Sequence, residues 1–457
     1  MTCTCIRPSP GFPHSWRPAR RRGPTAWPNA PPDPSTTAQG HSAMDVEDII
    51  SRCAEQGILL RIQDGTLNIE VKSPPKDKAL LLELKQQRSR VEQALLGASA
   101  QRDASAGRER PTSMSLFYFS SDEGSSDRDK YRLLLDGARF ADKHGFEAVW
   151  TPERHFARFG GLYPNPALMA SALAAITRHV ALRAGSVVLP LNDPLRVAEE
   201  WAVVDNLSDG RAGVAFASGW QPNDFVLAPD VYPTRHQFMY DGIEQIRTLW
   251  RGASITRRNG DGEDIAISCL PRPIQPELPI WITAATSPQT FESAGRIGAN
   301  VLSHLTGQTP EALGQKIKVY RQARAEAGYA TPGQVTVMVH TFISSDQASV
   351  LQVAKEPFKR YLAQSIDLLS NLATQVDIDP KSIGSGDMET LLEHAFHRYH
   401  GNSALLGTPD SALEFAARLR SIGVDEIACL VDFGIHPRVV LENLPHLNRL
   451  KNAVAAL

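Results

Sequence analysis

The chain has 457 residues, of which 42% are hydrophobic and 21% charged, with a formal net charge of -2, the balance of an ordinary globular protein. Near-neutral charge leaves no electrostatic footprint for nucleic acid, and no apolar run approaches the roughly 20 residues that span a bilayer, so neither a nucleic-acid nor a membrane partner is expected. The five cysteines, Cys3, Cys5, Cys53, Cys269 and Cys429, are too few and scattered for a disulfide framework, which points to a cytoplasmic protein, most simply an enzyme.

Residues 1–43 hold nine of the 32 prolines, five arginines and one acidic residue. Such a stretch cannot offset its ordering entropy by burial and reads as a disordered tail; it lacks the apolar segment of a secretory signal. Met44 follows it and opens a good helix, so a start at Met44 and a genuine tail beginning at Met1 both stay open. Over 45–56, Val46, Ile49, Ile50 and Cys53 share one helical face, and Gly57 ends it. Ile58–Ile62 and Thr66–Val71 flank Gln63-Asp64-Gly65, and Asp-Gly between two β-branched runs predicts a hairpin. After Pro74-Pro75 a second amphipathic helix is expected from about Lys78 to Leu96, carrying Leu80, Leu84, Val91 and Leu95. Residues 44–97 thus form a small α+β unit with little core of its own. Its strand edge suits β-augmentation, and Arg61, Lys72, Lys76, Lys78 and Lys85 make a basic rim for an acidic partner tail. Residues 98–113 read as a flexible linker spanning on the order of 20 Å.

From Ser115 the rhythm changes. Short apolar runs at Ser115–Ser120, Glu147–Glu153, Ala181–Leu189, Ala212–Gly219, Ile280–Ala285, Asn300–His304, Val335–Ile343 and Glu426–Gly434 alternate with helical patterns. Alternation of this kind means parallel strands joined by crossovers, and eight of them favour a closed (β/α)8 TIM barrel over an open sheet. Five helices are expected to open on a polar cap followed by proline: Asn165-Pro166, Asp193-Pro194, Ser287-Pro288, Thr309-Pro310 and Thr408-Pro409. The span from about 345 to 407 is too long for one crossover, so an insertion over one barrel end is expected after strand 7.

Barrel chemistry sits at the C-terminal strand ends. These ends present Glu153-Arg154-His155-Phe156, then Leu189-Pro190-Leu191-Asn192-Asp193, then Ser218-Gly219-Trp220-Gln221-Pro222-Asn223, then Ala285-Thr286-Ser287-Pro288, with His304, His340 and Asp432 on later strands. Glu153, Arg154 and His155 could be catalytic or could be an ion-pair network closing the rim. A metal site is disfavoured: the first strand lacks a His-x-His pair, and His394, His397 and His400 step by three and drift around a helix. No Gly-x-Ser-x-Gly elbow, dinucleotide fingerprint or Walker loop follows a strand. A mononucleotide phosphate could still sit on a helix N-terminus such as that at Ser287, or Ser287 could be a cap like the other four.

Thr151-Pro152-Glu153-Arg154-His155-Phe156 with Phe159-Gly160 and Asn165-Pro166, then Val188-Leu189-Pro190 with Pro194–Glu200, then Leu207-Ser208-Asp209-Gly210-Arg211, resembles the bacterial luciferase-like flavin monooxygenases across residues 115–435. The run Phe216–Phe225 and the run Ile427–Gly434 resemble the branch found in nonribosomal peptide and polyketide assembly lines. Residues 45–97 separately resemble the docking domains of tubulysin-type synthetases.

The resemblance implies a barrel, residues 114–457, that binds reduced FMN delivered by a separate flavin reductase and uses O2 to oxygenate its substrate. Where the family has His-His after the glutamate, this chain has Arg154-His155. The acid/base histidine position therefore falls on an arginine that does not deprotonate, which leaves His155 to manage the hydroperoxide proton and Glu153 to orient it. The phosphate cradle maps to Ala285, Thr286 and Ser287. The family's phosphate-contacting arginine maps to Ser218, so the countercharge must come from elsewhere, with Arg235 the candidate; Gly219 and Trp220 complete that wall. A cis peptide bond is implied at Gly185–Ser186, beside the flavin ring. The function implied is oxygenation of a carrier-protein-bound aminoacyl or acyl group, by hydroxylation in preference to oxygen insertion, in a homodimer that meets the synthetase through residues 45–97. The alternatives are a deazaflavin-dependent hydride-transfer enzyme of the same superfamily and a non-catalytic recruitment module.

Overall fold

Eight short strands, buried along almost their whole length, close into a parallel barrel in the computed structural model of the chain, which describes residues 111–119, 129–158, 160–364 and 385–457 together with separate positions between 49 and 91. The chain divides into two compact units, 1–105 and 106–457. In the first unit, β1 (Ile58–Gln63) pairs antiparallel with β2 (Thr66–Val71), Gln63 facing Thr66, as the Asp-Gly spacing predicts. Ile49 and Cys53 on one helical stretch and Leu80, Leu84 and Val91 on another are buried; they are members of the two apolar faces expected from the spacing. The tail 1–43, Met44 and most of the 98–113 linker lie outside the described residues. The linker's last two residues belong to the barrel: Thr112 donates its hydroxyl to Val424 O at 3.3 Å, and Ser113 starts the first barrel strand.

The barrel strands are β3 (Ser113–Phe117), β4 (Ala148–Thr151), β5 (Ala181–Val188), β6 (Ala212–Ala217), β9 (Ile280–Thr283), β10 (Asn300–His304), β11 (Val335–Ile343) and β13 (Glu426–Leu430). Each pairs in parallel with its neighbour, and β13 closes on β3. All eight overlap the apolar runs read from the sequence, with β3 beginning two residues and ending three residues before the expected Ser115–Ser120. Between β6 and β9 the chain adds an exposed antiparallel hairpin, β7 (Ile255–Arg258) with β8 (Asp264–Ile267).

The expected insertion follows β11. It comprises α7 (Gln347–Gln364), α8 (Ser385–Asn402) and a three-residue strand, β12 (Leu405–Gly407), which pairs with the last residues of β11. The buried Lys359 of α7 pairs with Glu389 and, at 3.3 Å, Glu393 of α8. Phe358 and Tyr361 of α7 set their faces or edges against His340 of β11, with ring centroids 4.8 and 4.6 Å away. The insertion therefore packs over the C-terminal end of its strand.

The N-terminal half of the barrel is filled by a polar layer. Arg183 of β5 donates to Glu426 Oε2 of β13 at 2.7 Å and lies over the rings of Trp150 and Trp281, 5.1 and 4.6 Å from their centroids. Glu426 also accepts from Trp150 Nε1 and Gln334 Nε2, at 2.9 and 2.8 Å. A buried charge persists only when paired and fully hydrogen-bonded, and here both conditions hold. With this end plugged, the opposite end is the one free to hold a ligand.

The outer helices start as their caps dictate. Asn165, Asp193, Thr309 and Thr408 each accept a backbone N–H of the first turn and precede a proline at the first helical position, which satisfies donors a helix start leaves orphaned. Ser287, before α5 (Pro288–Arg296), makes no such bond.

Candidate active site at the C-terminal barrel mouth

Beyond β4 the chain turns through Glu153, Arg154 and His155, with Phe156 in the left-handed region at φ 53° and three-quarters exposed. Glu153 is buried. Its Oε2 accepts the backbone N–H of Val188 at 2.6 Å, and its Oε1 accepts from Asn192 Nδ2 at 3.0 Å and lies 3.0 Å from His155 Nε2. The loop after β4 is thereby fastened to the end of β5. Arg154 is buried as well: its backbone N–H donates to Tyr163 O at 3.1 Å, its guanidinium pairs with Asp224, and it stacks 5.1 Å from the Trp220 ring. Asp224 lies on a 3-10 turn (Pro222–Leu227) after β6. Burial raises its carboxyl above the usual range, against the pull of Arg154.

The residues expected to face a flavin come from three neighbouring strands. The Gly185–Ser186 peptide bond in β5 is cis, at the bond the resemblance designated. A side chain at Gly185 would put its Cβ 2.6 Å from Phe117 Cε2 and 3.1 Å from Trp150 Cε3, so only glycine fits that part of the wall. Ser218, Gly219 and half-exposed Trp220 follow β6; Gly219, at φ 81°, has Phe225 and Val188 where a Cβ would be. Arg235, the expected countercharge, donates Nε to Gly219 O at 3.2 Å and Nη1 to Tyr232 O at 2.9 Å, which braces this loop.

After β9, Ala285, Thr286 and Ser287 are all exposed. The Ser287 hydroxyl turns to Gln289 Oε1 at 2.9 Å instead of capping its helix. The first-turn amides of α5 are thus left uncapped by that side chain, unlike those of its four counterparts. Uncapped amides at a helix start, reinforced by the helix dipole, match the chemistry of a phosphate, so these residues fit the phosphate end of a flavin mononucleotide.

Later strands contribute differently. Asp432, just past β13, accepts Phe119 N–H at 2.7 Å and the Tyr163 hydroxyl at 3.2 Å; burial and then the Asp432 charge hold the Tyr163 phenol well above its ordinary range. His304 accepts Thr306 N–H on Nδ1 at 3.2 Å, and burial pushes it down to about 4. His340 sits among Phe358, Tyr361 and Phe433, pushed down to about 3 by burial with His304 adding to the effect. His397 pairs with Glu393 and His400 with Gln347 on the insertion helices.

The structure therefore brings Glu153, Arg154 and His155 together with Asp224, Asn192 and Trp220, and places Arg211 apart from them. Arg211 donates to Ser208 O at 2.7 Å and Val180 O at 2.6 Å, locking a turn at the N-terminal end of the barrel. Asn192 and Asp224 received no role from sequence reading, although both lie within runs singled out there. Their partners stand 39 and 70 residues away, beyond the reach of any local spacing rule.

A family profile described as luciferase-like monooxygenase matches residues 112–426. The oxygenase component of a flavin-dependent trigonelline monooxygenase from Acinetobacter baylyi is 26% identical over 67% of this chain and 84% of its own length. A 4-hydroxyprotoasukamycin monooxygenase of Streptomyces nodosus subsp. asukaensis is 31% identical over 37% of this chain and 46% of that one. Among solved structures, the oxygenating constituent of 3,6-diketocamphane monooxygenase from Pseudomonas putida, in complex with FMN, superposes with a TM-score of 0.59 at 18% identity, over 76% of this chain and 98% of that one. An F420-dependent tetrahydromethanopterin reductase from Methanopyrus kandleri shares the fold, with a TM-score of 0.57 at 18% identity, over 74% and 97%.

Proposed function

The chain belongs to the luciferase-like monooxygenase family and is a flavin-dependent monooxygenase; from that premise we propose that it uses FMN, reduced by a separate enzyme, to hydroxylate an aminoacyl or acyl group carried as a thioester on a synthetase carrier protein. The observation that carries the reading is the Glu153–His155 pair at the open barrel mouth, anchored by Val188 and Asn192. In this reading Ala285, Thr286 and Ser287 hold the phosphate, while Gly185, Ser186, Ser218, Gly219 and Trp220 line the ring. The bound cofactor supplies the electrons that activate O2.

What the protein itself does follows from its hydrogen bonds. Glu153 Oε1 is placed to accept Nε2–H of His155, which selects that tautomer and leaves Nδ1 as the base. A proton is then taken or given at Nδ1. Arg154, where the family has a histidine, serves as fixed positive charge. The half-exposed Trp220 lies against Arg154 and the exposed Phe156 beside His155, apolar surface that a bound substrate would cover. Residues 45–97 act as the docking unit for the synthetase, and the linker raises the effective concentration of the carrier-bound group.

That a relative is named an oxygenase component supports a reductase partner, as does the lack of any dinucleotide fingerprint in the chain. The test is NADH consumption by the purified chain with FMN: none is expected until a flavin reductase is added, and rapid consumption without it overturns the two-component reading. The shared fold of the F420-dependent reductase favours one second reading, deazaflavin-dependent hydride transfer. Mass spectrometry of the cofactor retained on purification distinguishes the two.

A further inference from the structure

Asp224 uses one carboxylate oxygen on Arg154 and keeps the other, Oδ1, buried with no hydrogen-bond partner among the described residues; the residue is 4% exposed. Buried carboxylate oxygens are ordinarily satisfied, because leaving one dry and unpaired is unfavourable. The neighbouring acceptors are in use. Both Glu153 oxygens are occupied, by Val188 N–H on one side and by Asn192 and His155 on the other.

The charges around Asp224 are also unequal. Burial raises its carboxyl, while Arg154 and His155 favour its ionised form and Glu153 opposes it. In the hydrogen bonds described for this cluster, two carboxylates, Glu153 and Asp224, meet one guanidinium, Arg154. A donor that brings both a hydrogen bond and positive charge suits Oδ1.

We propose that Asp224 Oδ1 receives the protonated α-amine of a carrier-bound aminoacyl group, so that the enzyme selects aminoacyl over plain acyl thioesters. The assignment rests on the reading that the substrate is a carrier-bound thioester, and it narrows that class. One carboxylate then performs two tasks: Oδ2 holds Arg154 in place and Oδ1 recognises the substrate amine.

The test uses the full chain and matched N-acetylcysteamine thioesters: leucyl and its desamino counterpart, phenylalanyl and its desamino counterpart, and the N-acetylated form of each aminoacyl compound. Dissociation constants are measured by calorimetry without reductant. The free-amine compounds should bind on the order of 10–100-fold more tightly than their desamino and N-acetylated partners. In Asp224→Asn, whose amide turns a donor toward the amine, that ratio should fall to about one. Equal binding of amino and desamino compounds by the native protein overturns the assignment, and this arm does not depend on any variant folding. An unchanged ratio in Asp224→Asn also overturns it, because a purely structural Asp224 would weaken both members of each pair alike. If no thioester of any kind binds, the carrier-bound reading itself fails and the assignment falls with it.

Discussion

The side chain of Glu153 accepts the backbone N–H of Val188 at 2.6 Å, so the loop carrying Arg154 and His155 is held by the end of the strand that carries Gly185 and Ser186. Glu153→Ala would strand the Val188 amide and remove a partner of Asn192 and His155. We expect a loss of about 1–3 kcal/mol in stability, read as a lower urea midpoint, together with loss of oxygenation. A midpoint equal to that of the native protein would show that the two loops are held by something else.

His155 and Arg154 should separate in mutant phenotype. With Nε2 on Glu153, His155 offers Nδ1 for proton transfer, and His155→Ala should slow oxygenation about 10²–10⁴-fold while FMN affinity is retained. Arg154→Ala removes the charge that faces Asp224 and should instead raise the KM for substrate or weaken flavin placement. Equal loss of flavin affinity in both variants would make the cluster a structural ion-pair network.

Ser287 gives a test of the phosphate position. Ser287→Asp puts a carboxylate at the start of α5, where it can cap the helix and should preserve or slightly raise stability. The same charge repels a phosphate. FMN binding should weaken at least tenfold, by an order-of-magnitude electrostatic argument, while riboflavin, which lacks the phosphate, binds unchanged. Equal effects on both flavins would place the phosphate elsewhere.

Acid lability should follow from the two buried imidazoles. His340 and His304 are held down to about 3 and about 4, against 6.5 as the ordinary value. Between those limits the unfolded chain binds more protons than the folded one at these two sites, so their contribution to stability is present above about pH 6.5 and is lost as pH falls. Each histidine contributes at most about 1.4 kcal/mol per pH unit. His340→Phe, which suits the surrounding rings of Phe358, Tyr361 and Phe433, should make the decline between about pH 6 and 4 shallower. An unchanged slope would show that His340 is not among the groups responsible.

The barrel was legible because each of its strands is buried on both faces and therefore reads as a continuous apolar run, as in Ala212–Ala217. The β7–β8 hairpin was not, because Ile255-Thr256-Arg257-Arg258 is half or fully exposed and carries no burial signal. Leu405–Gly407 is too short to announce a strand. The loop after β4 was visible as three adjacent ionisable side chains and through its resemblance to a family. The Arg154–Asp224 pair and the Arg183–Glu426 bridge were not, since they join residues 70 and 243 positions apart that only barrel closure brings together. Ser287 shows the converse: its Ser-Pro signature matches four true caps, but its hydroxyl is turned away from the helix.

FMN-dependent oxygenation of a carrier-bound group leaves a label that isotopically enriched O2 reveals. The full chain, FMN, a flavin reductase and NADH are incubated with an aminoacyl-loaded carrier protein, and the carrier is then examined by intact-protein mass spectrometry. The acyl group should gain one labelled oxygen atom, and only when FMN, reductase and O2 are all present. An acyl group that is unlabelled, or that is altered without O2 when a reduced deazaflavin is supplied instead, would contradict it.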